Sequence, residues 1–379
     1  VSREAFLRSY SKLKLLRLKV SYGEQGNDKI GSYYGYQGLY QTGVNNIDYP
    51  GLLASRLSTP GLTWESLNSL NLGVEAKFFD RFSINFEFYT RNNSDLLFEK
   101  PLPPSTGFTS IDANIAELSN VGFDLELAGL LINAQNVSWN VDLNLGHFKN
   151  KIQELPQEFI VNGNKRWEVG RSIYDFWVED FAGVDPEMGK SLWYYNNSGT
   201  GEKDVTDSYT NADRYYSGSA IPDLFGGINN RLNFFDFDLS VLLSFGVGGK
   251  VMDQGYQWLM HSGQYGYNFH RDILNRWTPD NTLTSIPAID GDSYANRRSS
   301  RFLADASFLN IKNVSLGYRV PEALVSRINI GSVILKLTAD NLALFTSRKG
   351  LDPQFSLEGV YAKEYVPVRT LSVGIDVQL

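Results

Sequence analysis

Residues 81–97 read RFSINFEFYTRNNSDLL. From Phe82 to Phe88 every second side chain is apolar, with Phe82, Ile84, Phe86 and Phe88 on one side and Ser83, Asn85 and Glu87 on the other. Side chains of a strand alternate between faces, so these letters describe a strand with one apolar and one polar side. Which side is wet decides the fold. If the apolar side points into a core, this is a strand of a soluble sandwich; if it points into lipid, it is part of the wall of a membrane barrel.

The rest of the chain repeats the pattern. Residues 136–145, NVSWNVDLNL, set Val137, Trp139, Val141, Leu143 and Leu145 against polar alternates, and LSVGIDVQL at 371–379 does the same. Period-two alternation of this kind predicts strands near 11–22, 70–79, 82–92, 117–128, 136–148, 224–233, 236–247, 306–320, 332–341 and 368–379. Most are long enough for the roughly 9 to 11 residues of a tilted strand that crosses a bilayer.

The connections alternate as well. Long ones fall near 23–69, 93–116, 149–223, 248–305 and 342–367, and short ones at 80–81, 129–135, 234–235 and 321–331. An up-and-down barrel sends odd connections to one rim and even ones to the other, so the pattern predicts one rim of long loops and one of tight turns. A Greek-key sandwich mixes the two. Aromatics at strand ends, among them Tyr22, Phe79, Tyr89 and Phe148, fit an interfacial girdle. The expected fold class is therefore all-β, an antiparallel up-and-down transmembrane β-barrel with Phe82, Ile84, Phe86 and Phe88 facing lipid.

Composition narrows the function. With 44 Phe and Tyr (23 and 21) and 34 Gly but three His, the 379 residues are β-rich and poor in catalytic imidazoles. No cysteine is present, which excludes disulfides, thiolate metal sites and a cysteine nucleophile. A net charge of −7 argues against a nucleic-acid surface.

Motifs for bond chemistry are weak. GVGGK at 246–250 lacks P-loop spacing and is followed by Val251 rather than Ser or Thr, so it reads as a strand exit. DPEMG (185–189) and NNSG (196–199) do not fit an EF-hand; both read as turns, with a loop calcium as the alternative. His147, His261 and His270 are scattered, and the acid pairs Asp124/Glu126 and Asp236/Asp238 suit a wet lumen. No cofactor, no resident metal and no enzymatic activity are expected.

Ligand contacts are expected in the long loops, which a rigid scaffold holds in place. Their aromatic residues offer apolar faces to sugar rings and polar edges to hydroxyls. They are Tyr33, Tyr34, Tyr36 and Tyr40 in the first loop, Trp193, Tyr194, Tyr195, Tyr215 and Tyr216 in the third, and Tyr256, Trp258, Tyr265 and Tyr267 in the fourth. The alternative role is packing of loop on loop.

Seven stretches also resemble, in order and spacing, the C-terminal half of SusC/RagA-type TonB-dependent receptors. They are residues 62–108 (LTWESLNSLNLGVEAKFFDRFSINFEFYTRNNSDLLFEKPLPPSTGF), NIAELSNVGFDLEL (114–127), FAGVDPEMGK (181–190), IPDLFGGINNRLNFFDFDLSVLLSF (221–245), NRWTPDN (275–281), SSRFLADASFLNIKNVSLGYRVP (299–321) and DNLALFT (340–346). The resemblance implies that residues 1–379 are the C-terminal part of a barrel of about 22 strands. It implies TonB-dependent uptake of oligosaccharides or peptides across the outer membrane. It also implies a SusD-like surface lipoprotein as lid, and a TonB complex acting through a plug domain expected to be absent from this chain. Chains of this type usually end in an aromatic residue, whereas this one ends at Leu379. A self-contained small outer-membrane barrel, enzyme or pore, and a soluble glycan-binding β-protein are the alternatives.

Overall fold

The structure is a computed structural model describing residues 10, 12–28, 34–45, 47–289, 293–325, 331–362 and 364–378. Ten antiparallel strands form one sheet in strict sequence order. They are β1 (Leu13–Asn27), β2 (Glu65–Phe78), β3 (Phe82–Pro101), β4 (Ser110–Ala134), β5 (Val137–Glu154), β6 (Leu224–Phe234), β7 (Phe237–Val247), β8 (Phe308–Arg319), β9 (Ser332–Thr346) and β10 (Thr370–Gln378). The ten strands are those predicted, and β1 and β10 are the edges of an open sheet.

Register explains why the alternation matters. Leu18, Val74, Phe86, Leu125 and Leu145 lie side by side across five strands, and Arg17, Glu75, Asn85, Glu126 and Asn144 form the adjoining row on the opposite face. Phe82, Ile84, Phe86 and Phe88 are exposed, and no second layer of described residues covers them. Val20, Leu72, Leu337, Val373 and Ile375 extend the same bare apolar surface. An apolar surface this wide is a lipid-facing wall rather than half of a sandwich. No helix among the described residues is long and apolar enough to cross a membrane.

The turn rim carries an aromatic belt. Phe79 and Asp80 both have positive φ, as a two-residue type I′ turn requires, and Arg81 N–H donates to the Phe78 carbonyl at 3.0 Å. Phe79, Phe234, Phe235 and Phe237 are exposed there, and Phe237 packs on Tyr318 at 4.8 Å. Tyr89 and Phe148 depart from the girdle expected of them. Tyr89 shares the face of Ser83, Asn85 and Glu87 and lies buried over Gly122, its register partner. A Cβ at Gly122 would stand 2.6 Å from the Tyr89 hydroxyl. Phe148 shares the face of Asn144 and packs edge-on against Phe225 at 6.2 Å. Parity along the strand, not closeness to its end, sets the direction of both rings.

The predicted loop at 93–116 is also corrected. Strands β3 and β4 run on as a paired ribbon to Pro101 and from Ser110, with a register shift between Asn93 and Leu96, so residues 102–109 alone connect them. Likewise the turn expected at 129–135 shrinks to residues 135–136. The other long connections occupy 28–64, 155–223, 248–307 and 347–369, all at the rim opposite the tight turns.

Candidate functional site

Those loops are folded rather than slack. The third holds a four-stranded sheet, Phe159–Asn162, Lys165–Glu168, Asp175–Glu179 and Arg214–Ser219, and a three-stranded one, Phe181–Val184, Ser191–Asn196 and Lys203–Thr206. In the fourth, Lys250–Asp253 pairs with Leu303–Asp305 and, in parallel, with Val360–Tyr361 of the fifth. Phe176, Val178 and Ala220 from the third loop and Met252, Met260, Ile273, Ile286 and Phe302 from the fourth make one buried cluster. The chain's hydrophobic core thus lies in a cap on one rim, not in the wall.

Polar ties set the register of this cap. Ser300 Oγ donates to Asp180 Oδ1 at 2.7 Å and accepts from Phe181 N–H at 2.9 Å. Arg348 Nη1 meets buried Asp253 Oδ2 at 2.9 Å, and its Cζ lies 3.5 Å from the centre of the Tyr256 ring. Two of the sequence motifs meet here. Trp277 of NRWTPDN covers Gly189 of FAGVDPEMGK, and its Nε1–H donates to the Pro186 carbonyl at 3.0 Å. Gly189 has φ +72°, and a Cβ there would lie 2.5 Å from the Trp277 ring. Gly189→Val is therefore expected to lower cap stability by about 2 to 4 kcal/mol through strain and overpacking, read as faster tryptic cleavage of the cap.

Buried Lys165 belongs to the third loop, its Nζ donating to the Tyr174 carbonyl at 2.6 Å and lying 3.3 Å from the centre of the Phe176 ring. Burial pulls its ammonium down to about 7 against the pull of Asp175 and Glu358. Between that value and its ordinary one near 10.5 the unfolded chain binds the extra proton, so cap stability rises with pH through this window. Thermal unfolding of the cap is expected at higher temperature at pH 9 than at pH 6.5, with this dependence flattened in Lys165→Met.

The aromatic loop residues divide by environment. Trp193 is fully buried, edge-on to Phe181 at 5.4 Å and to Tyr209 at 5.1 Å. Tyr194 and Tyr215 flank the Lys203 ammonium at 5.0 and 3.9 Å, and Tyr195 donates to Asp204 at 3.2 Å, a contact that pushes its phenol above the ordinary value. Tyr216 donates to Glu168 at 2.6 Å beneath Arg171; burial and that carboxylate raise its phenol too. Tyr256 donates to Asp272 at 3.1 Å and is half-buried against Phe302. Tyr34, Tyr36, Tyr40, Trp258, Tyr265 and Tyr267 are exposed, Tyr265 fully so. Tyr33 lies outside the described residues. The structure thus brings the third-loop rings together through side-chain contacts and leaves Tyr34, Tyr36, Tyr40 and most of the fourth-loop rings exposed.

Below the cap, the polar face of the wall is concave. Glu87, Asp124, Glu126, Asn144, Phe225 and Lys312 are among the residues around a hollow of about 840 Å³, and Lys19, Glu75, Asn85 and Asp142 border another of about 490 Å³. Such a surface suits a water-filled passage.

The remaining motifs have structural partners. Asp185 Oδ1 accepts from the Glu187 and Met188 amides at 2.8 and 3.1 Å, and Asn197 Oδ1 from Gly199 at 3.0 Å, so both acidic and amide loops are side-chain-closed turns. No group of three or more metal-ligating side chains occurs among the described residues. His261 is buried and stacked on Phe269 at 4.2 Å, with Nδ1 accepting from the Gln264 amide at 2.9 Å. His270 accepts from the Asp272 amide at 3.2 Å, and outward-facing His147 approaches the Asp223 carbonyl at 2.6 Å. Sequence reasoning missed Tyr209, Arg297 and Arg298, which border a polar pocket beside Trp258; the adjacent arginines were the available signal.

Comparison with known proteins shows what this architecture is similar to. No protein-family model matches the chain. The TonB-dependent receptor P3 of Formosa agariphila is 27% identical over 412 residues, covering 100% of this chain and 41% of the receptor. The TonB-dependent receptor SusC of Bacteroides thetaiotaomicron is 24% identical over 405 residues, with 100% and 39% covered. The solved RagAB peptide importer in its open-open state superposes with a TM-score of 0.85 at 28% identity, over 99% of this chain and 41% of that one. The chain is a relative of the SusC/RagA-type TonB-dependent receptors. Its wall is part of an outer-membrane β-barrel, and its bare apolar face is the lipid-facing side. It spans about two-fifths of the length of the SusC/RagA-type relatives it matches.

Proposed function

We propose that the chain forms wall and extracellular cap of an outer-membrane importer that takes up oligosaccharides, with peptides as the second substrate class. The observation that carries this reading is the joint arrangement of a lipid-facing wall, a concave polar interior and a folded cap, matched along 99% of the chain by the RagAB peptide importer. The cap captures ligand at the loop rim, and the polar interior offers it a hydrated passage. A SusD-like lipoprotein closes over the cap, and TonB supplies energy through a plug on the complete receptor. No step breaks a covalent bond in the ligand. The exposed rings of Tyr34, Tyr36, Tyr40, Trp258, Tyr265 and Tyr267 favour sugars, since each offers an apolar plane with a polar edge.

The test is growth of the source bacterium, with and without the receptor gene, on single oligosaccharides or peptides as carbon source. Loss of growth on an oligosaccharide, reproduced by deletion of TonB, is expected. Loss confined to peptides would move the substrate to the second class. Unchanged growth on every source, together with ligand hydrolysis by the purified receptor, would replace transport by the enzyme alternative.

A further inference from the structure

We infer that the cap pocket beside Trp258 is a subsite for an acidic sugar, one bearing a carboxylate or a sulfate; this rests on the glycan-uptake reading above. The pocket encloses about 440 Å³ between the helix Gln254–Leu259 and residues 293–298. Its polar walls are Gln254, Gln257 and Asn296, joined by Ser293 at the mouth. Arg297, which is exposed, and Arg298, which is half-buried, add two positive charges. Among the described residues neither guanidinium has a carboxylate within ion-pair distance.

A described carboxylate close by is engaged by another arginine. Glu179, the carboxylate beside Tyr209, is held by Arg214 Nε at 2.9 Å. The Tyr209 hydroxyl donates to the Arg298 carbonyl at 2.8 Å, and its ring stacks on Tyr294 at 5.9 Å, which fixes the backbone carrying both arginines. Two positive charges are thus held together in a protein whose net charge is −7. A pocket lined by two arginines suits an oxyanion, which a guanidinium binds through paired N–H donors.

The other walls favour a sugar over a peptide as carrier of that oxyanion. Amide side chains both donate and accept, as vicinal hydroxyls require, and the Trp258 indole offers a plane for a pyranose face. Among the described residues no aliphatic side chain lines the pocket, so a peptide side chain finds little apolar surface there.

The test uses the whole receptor with its lid, extracted in detergent. It is applied to an array of neutral, carboxylated and sulfated oligosaccharides with glutamate-rich peptides alongside. Binding to carboxylated or sulfated glycans is expected, falling as salt is raised. Arg297→Ala/Arg298→Ala should weaken it by about tenfold or more, while Arg297→Lys/Arg298→Lys retains part of it and neutral-glycan binding is unchanged. Methyl-esterified uronates and desulfated glycans identify which oxyanion is read. Unchanged acidic-glycan binding in the alanine variant would overturn the inference, as would a wild-type preference for acidic peptides. Binding of neutral glycans alone would overturn it and leave glycan uptake standing; binding of no glycan would remove both.

Discussion

Phe302→Ala should unfold the cap while leaving the wall folded. Phe302 is fully buried in the cluster that joins the third and fourth loops, against Tyr256 at 6.1 Å and close to the Arg301 guanidinium. Its neighbours Phe176, Val178 and Met252 are themselves fully buried and come from two short strands, Asp175–Glu179 and Lys250–Asp253, which their sheets hold in place. They cannot collapse freely into the space left by a benzyl group, so the loss combines transfer and cavity terms at about 3 to 5 kcal/mol. That is a large share of what holds a folded unit of this size together. The wall shares little with this cluster, since it is stabilised by long ladders and by lipid. Limited proteolysis should therefore cut the variant within 155–223 and 248–307 while its heat-modifiable mobility on gels, the mark of a folded barrel, persists. If wall and cap were lost together, the cap would be part of one cooperative unit with the barrel.

The contrast between wall and cap also marks where the sequence was readable. Inside the bilayer each strand meets lipid on one side and water on the other, so solvent imposes the alternation and 136–145 reads without a fault. Above the bilayer both faces meet water. The pattern lapses at RNNSDLLFEKP (91–101), although pairing continues to Pro101. A loop was expected there because the environment, not the hydrogen bonding, had changed.

In the cap, composition could not distinguish a buried ring from an exposed one. Trp193 and Trp258 belong to equally aromatic, glycine-containing loops, yet one is fully buried and the other exposed. What separates them is contact between strands and turns: Trp193 is packed edge-on by Phe181 and Tyr209, and neither partner is marked by the alternation around it. The family motifs do make physical sense once folded. NRWTPDN and FAGVDPEMGK are distant in sequence because Trp277 and Gly189 form the two halves of one joint.

The quoted strand supplies the sharpest test of the wall. Phe86→Arg is expected to destabilise the folded barrel in lipid by about 2 to 4 kcal/mol, whereas Glu87→Arg, one residue on, should change stability by less than about 1 kcal/mol. Phe86 stands midway along the apolar row from Phe82 to Thr90, between Val74 and Leu125, and packs on Phe123 at 6.0 Å. An arginine there has no water, no carboxylate partner in its row and a long way to snorkel to either rim. Glu87 lies opposite Asp124 on the concave side and borders the 840 Å³ hollow, where a new guanidinium stays hydrated and meets carboxylates at Asp124 and Glu126. The measurement is the urea midpoint of the folded, heat-modifiable form of the whole receptor in phospholipid vesicles, for both variants against wild type. Equal losses would mean that neither face of β3 meets lipid. Loss in Glu87→Arg alone would turn the wall inside out, placing the polar row against a packed surface and the apolar row in the passage.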